Sequence, residues 1–282
     1  MIAITGATGQ LGQRVIEQLL KTIPASQLVA IVRNPAKAEA LSTQGVTVRQ
    51  ADYNDQATFT TALAGVDKLL LISSSEVGQR ATQHQNVINA AQAAGVKFIA
   101  YTSLLHADTS TLGLHVEHVE TENALAASGI PFALLRNGWY TENYLASAPA
   151  ALEHGVFIGA AGEGKIASAT RADYAAAAAR VISEEGHAGK VYELAGDHAW
   201  TLGELVAELS RQSGKNVVYQ NLSEADFAAA LKGFGLQAGL ADMLADSDVG
   251  ASKGGLFDDS RTLSALLGRP TTTLAESVSA LL

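Results

Sequence analysis

The stretch Ile2–Gly12, IAITGATGQLG, decides how the rest of the chain is read. It is a short apolar strand that breaks into a glycine-spaced turn and then into a helix, the arrangement of a phosphate-binding loop. Gly6, Gly9 and Gly12 are spaced G-x-x-G-x-x-G, and each has a separate task there. Gly6 can take a positive φ at the turn, Gly9 carries no Cβ to keep the backbone away from a pyrophosphate, and Gly12 lets the helix sit close on its strand. The leading amides of the helix from Gln10 to Leu20 then face an anion with the positive end of the helix dipole. A three-glycine run alone marks only a tight turn. The strand before it and the helix after it supply the context that a dinucleotide site requires.

Working outward, Leu28–Val32 is a continuous apolar run, LVAIV, which suits a strand covered on both faces. Arg33 follows it. In dinucleotide folds an acid near this position holds the ribose hydroxyls, whereas an arginine accommodates a 2′-phosphate, so Arg33 predicts NADP(H) over NAD(H). Pro35–Thr43 reads as a short helix, Val46–Gln50 as a third strand and Lys68–Ile72 as a fourth. Asp52 is open to two readings, a contact to an adenine amino group or a cap for the helix near Asp55–Leu63. Ser73, Ser74 and Ser75 close the fourth strand at the sheet edge where ligands bind. Helix Gln79–Ala94, strand Phe98–Thr102, a helix ending at Gly129 and strand Phe132–Leu135 continue the alternation with short connections.

This pattern predicts an α/β fold: a doubly wound, Rossmann-like parallel sheet with a smaller, mostly helical C-terminal lobe. The expected division is a nucleotide-binding domain over residues 1–136, completed by a strand near 191–194, and a substrate-side lobe over 137–282. Gly159, Gly162 and Gly164 read as a hairpin turn, because no helical pattern follows them. Thr170 with Asp173 opens the alanine-rich helix Ala172–Ser183. Thr201 with Glu204, Ser223 with Asp226 and Thr273 with Glu276 repeat the helix-start signal through the last third.

Composition narrows the function. The 282 residues are 48% hydrophobic, enough for a substantial core. A formal net charge of −9 speaks against a nucleic-acid or anionic-membrane surface. There is no cysteine, which removes disulfides, thiolate nucleophiles and cysteine-ligated metals. No apolar run reaches the roughly 20 residues of a membrane helix, and no secretion signal precedes the first strand, so a cytoplasmic enzyme is expected.

The proton-transfer pair of alcohol-oxidising short-chain dehydrogenases, Tyr-x-x-x-Lys, is missing: Leu105, Tyr144, Ala57 and Ala178 stand four places after Tyr101, Tyr140, Tyr53 and Tyr174. The segment that should carry the pair reads GLHVEHVETENAL. Its His115, His118 and Glu122 share a helix face and raise the question of a metal, but a solvated face or capping partners is the reading preferred, and no metal is expected. Asp246, Asp248 and Gly250 lack the remaining ligands of a calcium loop and read as loop acids. No G-x-S-x-G elbow is present.

ITGATGQLG, the Arg33 position, the strand-end serines, SSSEVGQR, LLHAD, LLRNGWYTENY and GLFDDS together resemble the atypical short-chain dehydrogenases of the NmrA-like type, over essentially the whole chain. Within that family the likeness is greatest to members that reduce quinones. The resemblance implies NADPH-dependent hydride transfer to a quinone without flavin or metal. Carried across, Gly6, Ala7, Thr8, Gly9, Gln10 and Leu11 hold the pyrophosphate and Arg33 the 2′-phosphate. Ser73, Ser74 and Ser75 with Asn137, Gly138, Trp139, Tyr140, Thr141 and Glu142 serve the ribose and nicotinamide side. Asn143 faces the substrate, with His106 as a second partner of a quinone oxygen. The family often keeps a lysine between Glu120 and Leu125; here Asn123 stands there. The competing expectation is an NADP(H)-sensing regulator of the same fold without turnover. A monomer or homodimer is expected.

Overall fold

The computed structural model describes residues 1–282. In chain order the elements begin β1 (Ile2–Ile4), α1 (Gln10–Leu19), β2 (Leu28–Val32), α2 (Glu39–Thr43), β3 (Thr47–Gln50), α3 (Gln56–Ala62), β4 (Lys68–Leu71), α4 (Arg80–Ala94), β5 (Phe98–Leu104), α5 (His115–Ser128) and β6 (Phe132–Asn137). They continue as α6 (Thr141–Leu145), α7 (Ala148–His154), β7 (Val156–Gly159), α8 (Arg171–Ser183), β8 (Val191–Leu194), α9 (Leu202–Ser213), β9 (Val218–Asn221), α10 (Glu224–Gly233), α11 (Ala238–Ser252), α12 (Thr262–Leu267) and α13 (Leu274–Leu281).

Seven strands form one sheet in the order β3-β2-β1-β4-β5-β6-β8, the doubly wound architecture. Every pairing from β3 to β6 is parallel, with Ile2 level with Leu28 on one side and Lys68 on the other. Strands β2 and β5 are buried at every position, which is why β2 reads as an unbroken apolar run; the buried Thr102 and Ser103 of β5 spend their hydroxyls on hydrogen bonds. Strand order reverses beside β1, so the connections that leave β1 and β4 diverge and open a crevice at their carboxyl ends.

The chain divides into two compact units. The first comprises Met1–Leu104, Val116–Asn137 and Arg171–Tyr192; the second comprises Leu105–His115, Gly138–Thr170 and Glu193–Leu282. In the first unit the core runs from Ala3, Val29 and Leu69 through Phe59, Val87 and Ile99 to Leu134. Helix α8 packs on α1, and its alanines allow close approach because they present little more than backbone; Ala175, Ala177, Ala178 and Ala179 are all buried.

In the second unit the helix-start signals are realised as read. Thr201 and Thr273 each form a reciprocal capping box with the glutamate three residues on, and Ser223 accepts the Asp226 amide. Two expectations fail there. Residues 159–164 are not a hairpin turn, because β7 pairs in parallel with β9 rather than doubling back. Gly164 is needed instead for packing: a Cβ on it would lie 2.4 Å from the Ala251 carbonyl of α11. Asp246 and Asp248 are not loop acids but lie within α11, where each accepts a backbone amide of another segment, Gly113 at 2.7 Å and Ala160 at 2.8 Å.

Candidate functional site

The turn after β1 is built as its glycines require. Gly6 sits at φ +59, and the Gly9 amide donates back to the Gly6 carbonyl at 2.9 Å, closing the turn. A Cβ on Gly12 would fall 2.4 Å from the Gly6 carbonyl oxygen and 2.9 Å from the Ala7 Cα, so only glycine lets the helix start this close to the strand. Thr5 holds the turn from below: its buried hydroxyl accepts the Ile72 amide at 2.9 Å, fastening the end of β1 to the end of β4. Ala7 reaches the other neighbour, donating to the Ile31 carbonyl at 3.4 Å, and Thr8 accepts Gln13 Nε2 at 2.8 Å. Gly9 is the N-cap of α1 and offers no side-chain oxygen, so nothing from the cap answers the leading amides at Gln10 and Leu11.

Arg33 follows β2 with its side chain 71% exposed, and Nη1 lies 3.0 Å from Oε1 of Glu76. Glu76 belongs to the connection after β4, which carries the serines. There the Ser73 amide donates to Thr102 Oγ1 at 2.8 Å, and the Ser74 amide donates to His84 Nε2 at 2.9 Å. Ser74 is buried and its hydroxyl donates to Gln83, while Arg80 Nε donates to the Ser74 carbonyl at 2.7 Å. Ser75 is exposed. The Gly78 and Arg80 amides both donate to Glu117 Oε1 at 3.0 Å, so a glutamate from α5 caps α4. Asp52 does not cap α3; Asp55 does, accepting the Ala57 amide at 3.0 Å, while Asp52 closes a local turn with Asn54.

The preferred reading of the α5 acids and histidines as a solvated or capping face is overturned for His118 and Glu122. His118 is buried, with Nδ1 2.7 Å from the Tyr101 hydroxyl, and burial holds the ring far below its usual pKa, with Arg80 adding to that effect. Glu122 is buried against Arg136, which donates from Nε at 3.0 Å and from Nη2 at 2.7 Å, and Ser103 donates to the same carboxylate at 2.5 Å. These groups lock α5 to β5 and β6. Asn137 ends β6 with its Oδ1 buried and without a hydrogen-bond partner.

The second unit carries the remaining expected residues. Gly138 donates to the Leu194 carbonyl at 2.8 Å, and Tyr140 bridges Ala169 in parallel. Trp139 accepts the Ala169 amide at 3.2 Å, the Thr141 amide donates to the Ala169 carbonyl at 3.0 Å, and the Thr141 hydroxyl pairs with Ser168 at 2.8 Å. Glu142 and Asn143 lie in the first turn of α6, where the Asn143 amide donates to the Tyr140 carbonyl. Asn143 and Trp139 line a cavity with Tyr144, Phe157, Phe227 and Asp248. The Tyr144 hydroxyl is buried there beside Asp248, and burial pushes Asp248 up to about 6. His106 takes φ +49, an uncommon conformation for a side-chain-bearing residue. Its amide donates to Glu193 at 2.7 Å, and its Nε2 stands 3.2 Å from Asp258.

These features suit a phosphorylated dinucleotide. The first unit combines an uncapped helix N-terminus behind a turn where a Cβ would collide, a guanidinium in solvent at the end of the neighbouring strand, and an unanswered buried amide oxygen at the end of β6. A model of the NmrA-like family matches residues 1–268. The chain belongs to the NmrA-like family. Quinone oxidoreductase 2 of Escherichia coli (strain K12) is 82% identical to this NmrA-like protein over 279 residues, 99% of this chain and 98% of the relative. The crystal structure of an NADPH-dependent quinone oxidoreductase from Escherichia coli, complexed with NADPH, is similar with a TM-score of 0.98 at 82% identity, covering 100% of this chain and 99% of that one. That of the Citrobacter sp. triphenylmethane reductase complexed with NADP(H) has a TM-score of 0.96 at 43% identity and covers 100% of both.

Sequence reasoning on this NmrA-like chain missed Glu76, Gln83 and His84, which set the loop after β4, whereas Glu117 is a capping partner, the reading preferred for the acids of its segment. The stretch SSSEVGQR held part of the signal, since a charged Glu and Arg so close to a serine run imply partners. His84 gave none, because a histidine in a helix interior reveals its contact only once the strands are paired.

Proposed function

We propose that this protein is an NADPH-dependent quinone oxidoreductase that reduces quinones to hydroquinones by direct hydride transfer, with no flavin between donor and acceptor. The observation that carries the reading is the 82% identity, across 99% of this chain, to a quinone oxidoreductase. The site's own chemistry supports it.

In this reading the amides from Gly6 to Leu11 bind the pyrophosphate, and Arg33 binds the 2′-phosphate, the choice its place after β2 favours. Ser73, Ser74 and Ser75 shape the ribose side. Ser74 acts by shaping the loop, since its hydroxyl is committed to Gln83, its amide to His84 and its carbonyl to Arg80. Asn137 offers its Oδ1 to a donor on the nicotinamide side, and Gly138, Trp139, Tyr140, Thr141 and Glu142 form the segment that follows. The bound nicotinamide supplies the hydride from C4. Asn143 donates a hydrogen bond to a quinone oxygen, and His106 does so second, after exchanging its Asp258 contact. No tyrosine–lysine pair is needed. Hydride addition to a quinone gives an aromatic hydroquinone anion that takes its proton from water, so positioning dominates over acid catalysis. The substrate is a small quinone, the compartment the cytoplasm, and the assembly a monomer or homodimer.

The test is NADPH oxidation by the purified protein, followed by absorbance, with and without benzoquinone and without added flavin. Quinone-dependent oxidation, with a slower rate for NADPH deuterated at C4, supports the reading. Tight NADPH binding without quinone-dependent turnover overturns it in favour of a sensor.

A further inference from the structure

Arg33 does not stand alone at the end of β2. Its Nη1 is 3.0 Å from Glu76 Oε1, with the guanidinium 71% exposed and the carboxylate 38%. The other oxygen of Glu76, Oε2, accepts Gln83 Nε2 at 2.8 Å, and the Glu76 amide donates to Ser74 Oγ at 3.2 Å. Gln83 is 1% exposed and is itself fixed, taking the Ser74 hydroxyl on Oε1 and donating to Asn54 Oδ1 at 3.2 Å. The carboxylate is therefore tethered through one oxygen to a buried amide and lends the other to Arg33. A glutamate held only by Arg33 would swing into solvent when a stronger anion arrived, whereas this one keeps its charge beside the guanidinium.

We propose that Glu76 is a specificity-determining residue, a built-in anion on Arg33 that the 2′-phosphate of NADPH must displace and against which it remains opposed once bound. This rests on the reading of Arg33 as the 2′-phosphate contact. The phosphate carries more charge than the carboxylate and presents several acceptor oxygens to the guanidinium, so it wins the exchange. NADH has a hydroxyl in place of the phosphate and leaves the Arg33–Glu76 pair intact. Glu76 thus lowers affinity for the phosphorylated cofactor and leaves the other unaffected, narrowing the preference that Arg33 creates. The pair is solvent-exposed, and exposed pairs of this kind are worth at most about a fivefold change in an equilibrium constant.

The test measures Kd for NADPH and NADH by titration calorimetry on the unmodified protein, Glu76→Gln, Arg33→Ala and the double variant. Glutamine keeps an amide oxygen for Gln83 and removes the charge. The expected result is that Glu76→Gln tightens NADPH about threefold to fivefold. NADH should move by less than about twofold, and the gain should vanish when Arg33 is alanine. An equal gain for both cofactors, no gain for NADPH, or the same gain in the Arg33→Ala background overturns the proposal. If Arg33→Ala leaves the NADPH to NADH ratio unchanged, the underlying reading of Arg33 falls and takes the proposal with it. A lowered ratio in Arg33→Ala with no gain in Glu76→Gln overturns the role of Glu76 alone.

Discussion

The Ser74 backbone amide donates to Nε2 of His84 at 2.9 Å, which leaves the imidazole proton on Nδ1, 2.9 Å from Thr121 Oγ1. The Thr121 hydroxyl in turn donates to the Glu117 carbonyl at 2.8 Å, so every donor in this chain of bonds is used once. A protonated His84 would lose the Ser74 bond. Burial, reinforced by the nearby Arg80 charge, holds the ring neutral by lowering its pKa to about 3. The unfolded chain takes up that proton below about pH 6.5 while the native state refuses it, so stability is lost as pH falls through this window toward 3. At pH 5 the loss from this residue is about 2 kcal/mol relative to pH 7. Urea unfolding midpoints at the two pH values measure it. His84→Gln, which keeps an acceptor for Ser74, should flatten the dependence, and an unaltered slope would count against the neutral-ring assignment.

Gly12→Ala sets a methyl group 2.4 Å from the Gly6 carbonyl oxygen. Neither group can give way without moving the turn, because Gly6 is already committed to φ +59 and Thr5 pins the strand end to Ile72. The expected cost is about 2 kcal/mol of stability together with at least a tenfold rise in the Kd for NADPH. Thermal melting and cofactor titration read the two effects separately. A stable variant with unchanged NADPH affinity would mean that the close start of α1 is not what presents the amides.

The strand runs and the glycine turn were legible in the sequence because both are local: a run such as LVAIV has one comfortable place, a strand covered on two faces. Helix starts at Thr201, Ser223 and Thr273 were legible for the same reason, each being a bond between residues three apart. What escaped was non-local. Residues 159–164 have a hairpin's composition, and only the pairing of β7 with β9, nearly sixty residues away, shows otherwise. Asp248 looks like loop acid until α11 is seen to place it under the Ala160 amide. In the candidate site, Arg33 announced itself by position, whereas the Glu76 that faces it lies 43 residues on.

Glu122 and Arg136 form a two-point ion pair with side chains about one-tenth exposed. Removing one partner leaves the other charge buried without compensation, so Glu122→Ala should cost about 3–5 kcal/mol. Replacing both by leucine and methionine should cost much less, because no charge is then stranded. Denaturant unfolding of the two variants checks the order. Equal losses in the single and double variants would show that packing, not charge, dominates there.

Asn143→Ala tests the substrate side without touching the turn after β1. Asn143 is half-buried at the start of α6 and lines the same cavity as Trp139 and Asp248. Loss of one neutral hydrogen bond to a quinone oxygen should lower kcat/KM for benzoquinone about tenfold. The Kd for NADPH should stay within about twofold. A matched loss in cofactor affinity would move Asn143 to the nucleotide side.

Asp248 makes the opposite pH prediction from His84. Its Oδ2 accepts the Ala160 amide at 2.8 Å, the groups facing it are the phenols of Tyr144 and Tyr219, and no cation offsets its burial. Burial raises the carboxyl to about 6 from an ordinary 3.8. Between those values the native state keeps a proton that the unfolded chain has released, so stability is fully present below about pH 4 and falls as pH rises through 6. Asn at this position retains an oxygen for Ala160 and cannot ionise. Asp248→Asn should therefore be more stable than the parent at pH 7.5 by about 3 kcal/mol, an advantage that shrinks to nothing near pH 4. Melting temperatures across that range measure it, and a gain independent of pH would assign the effect to packing around Gly159 rather than to the buried charge.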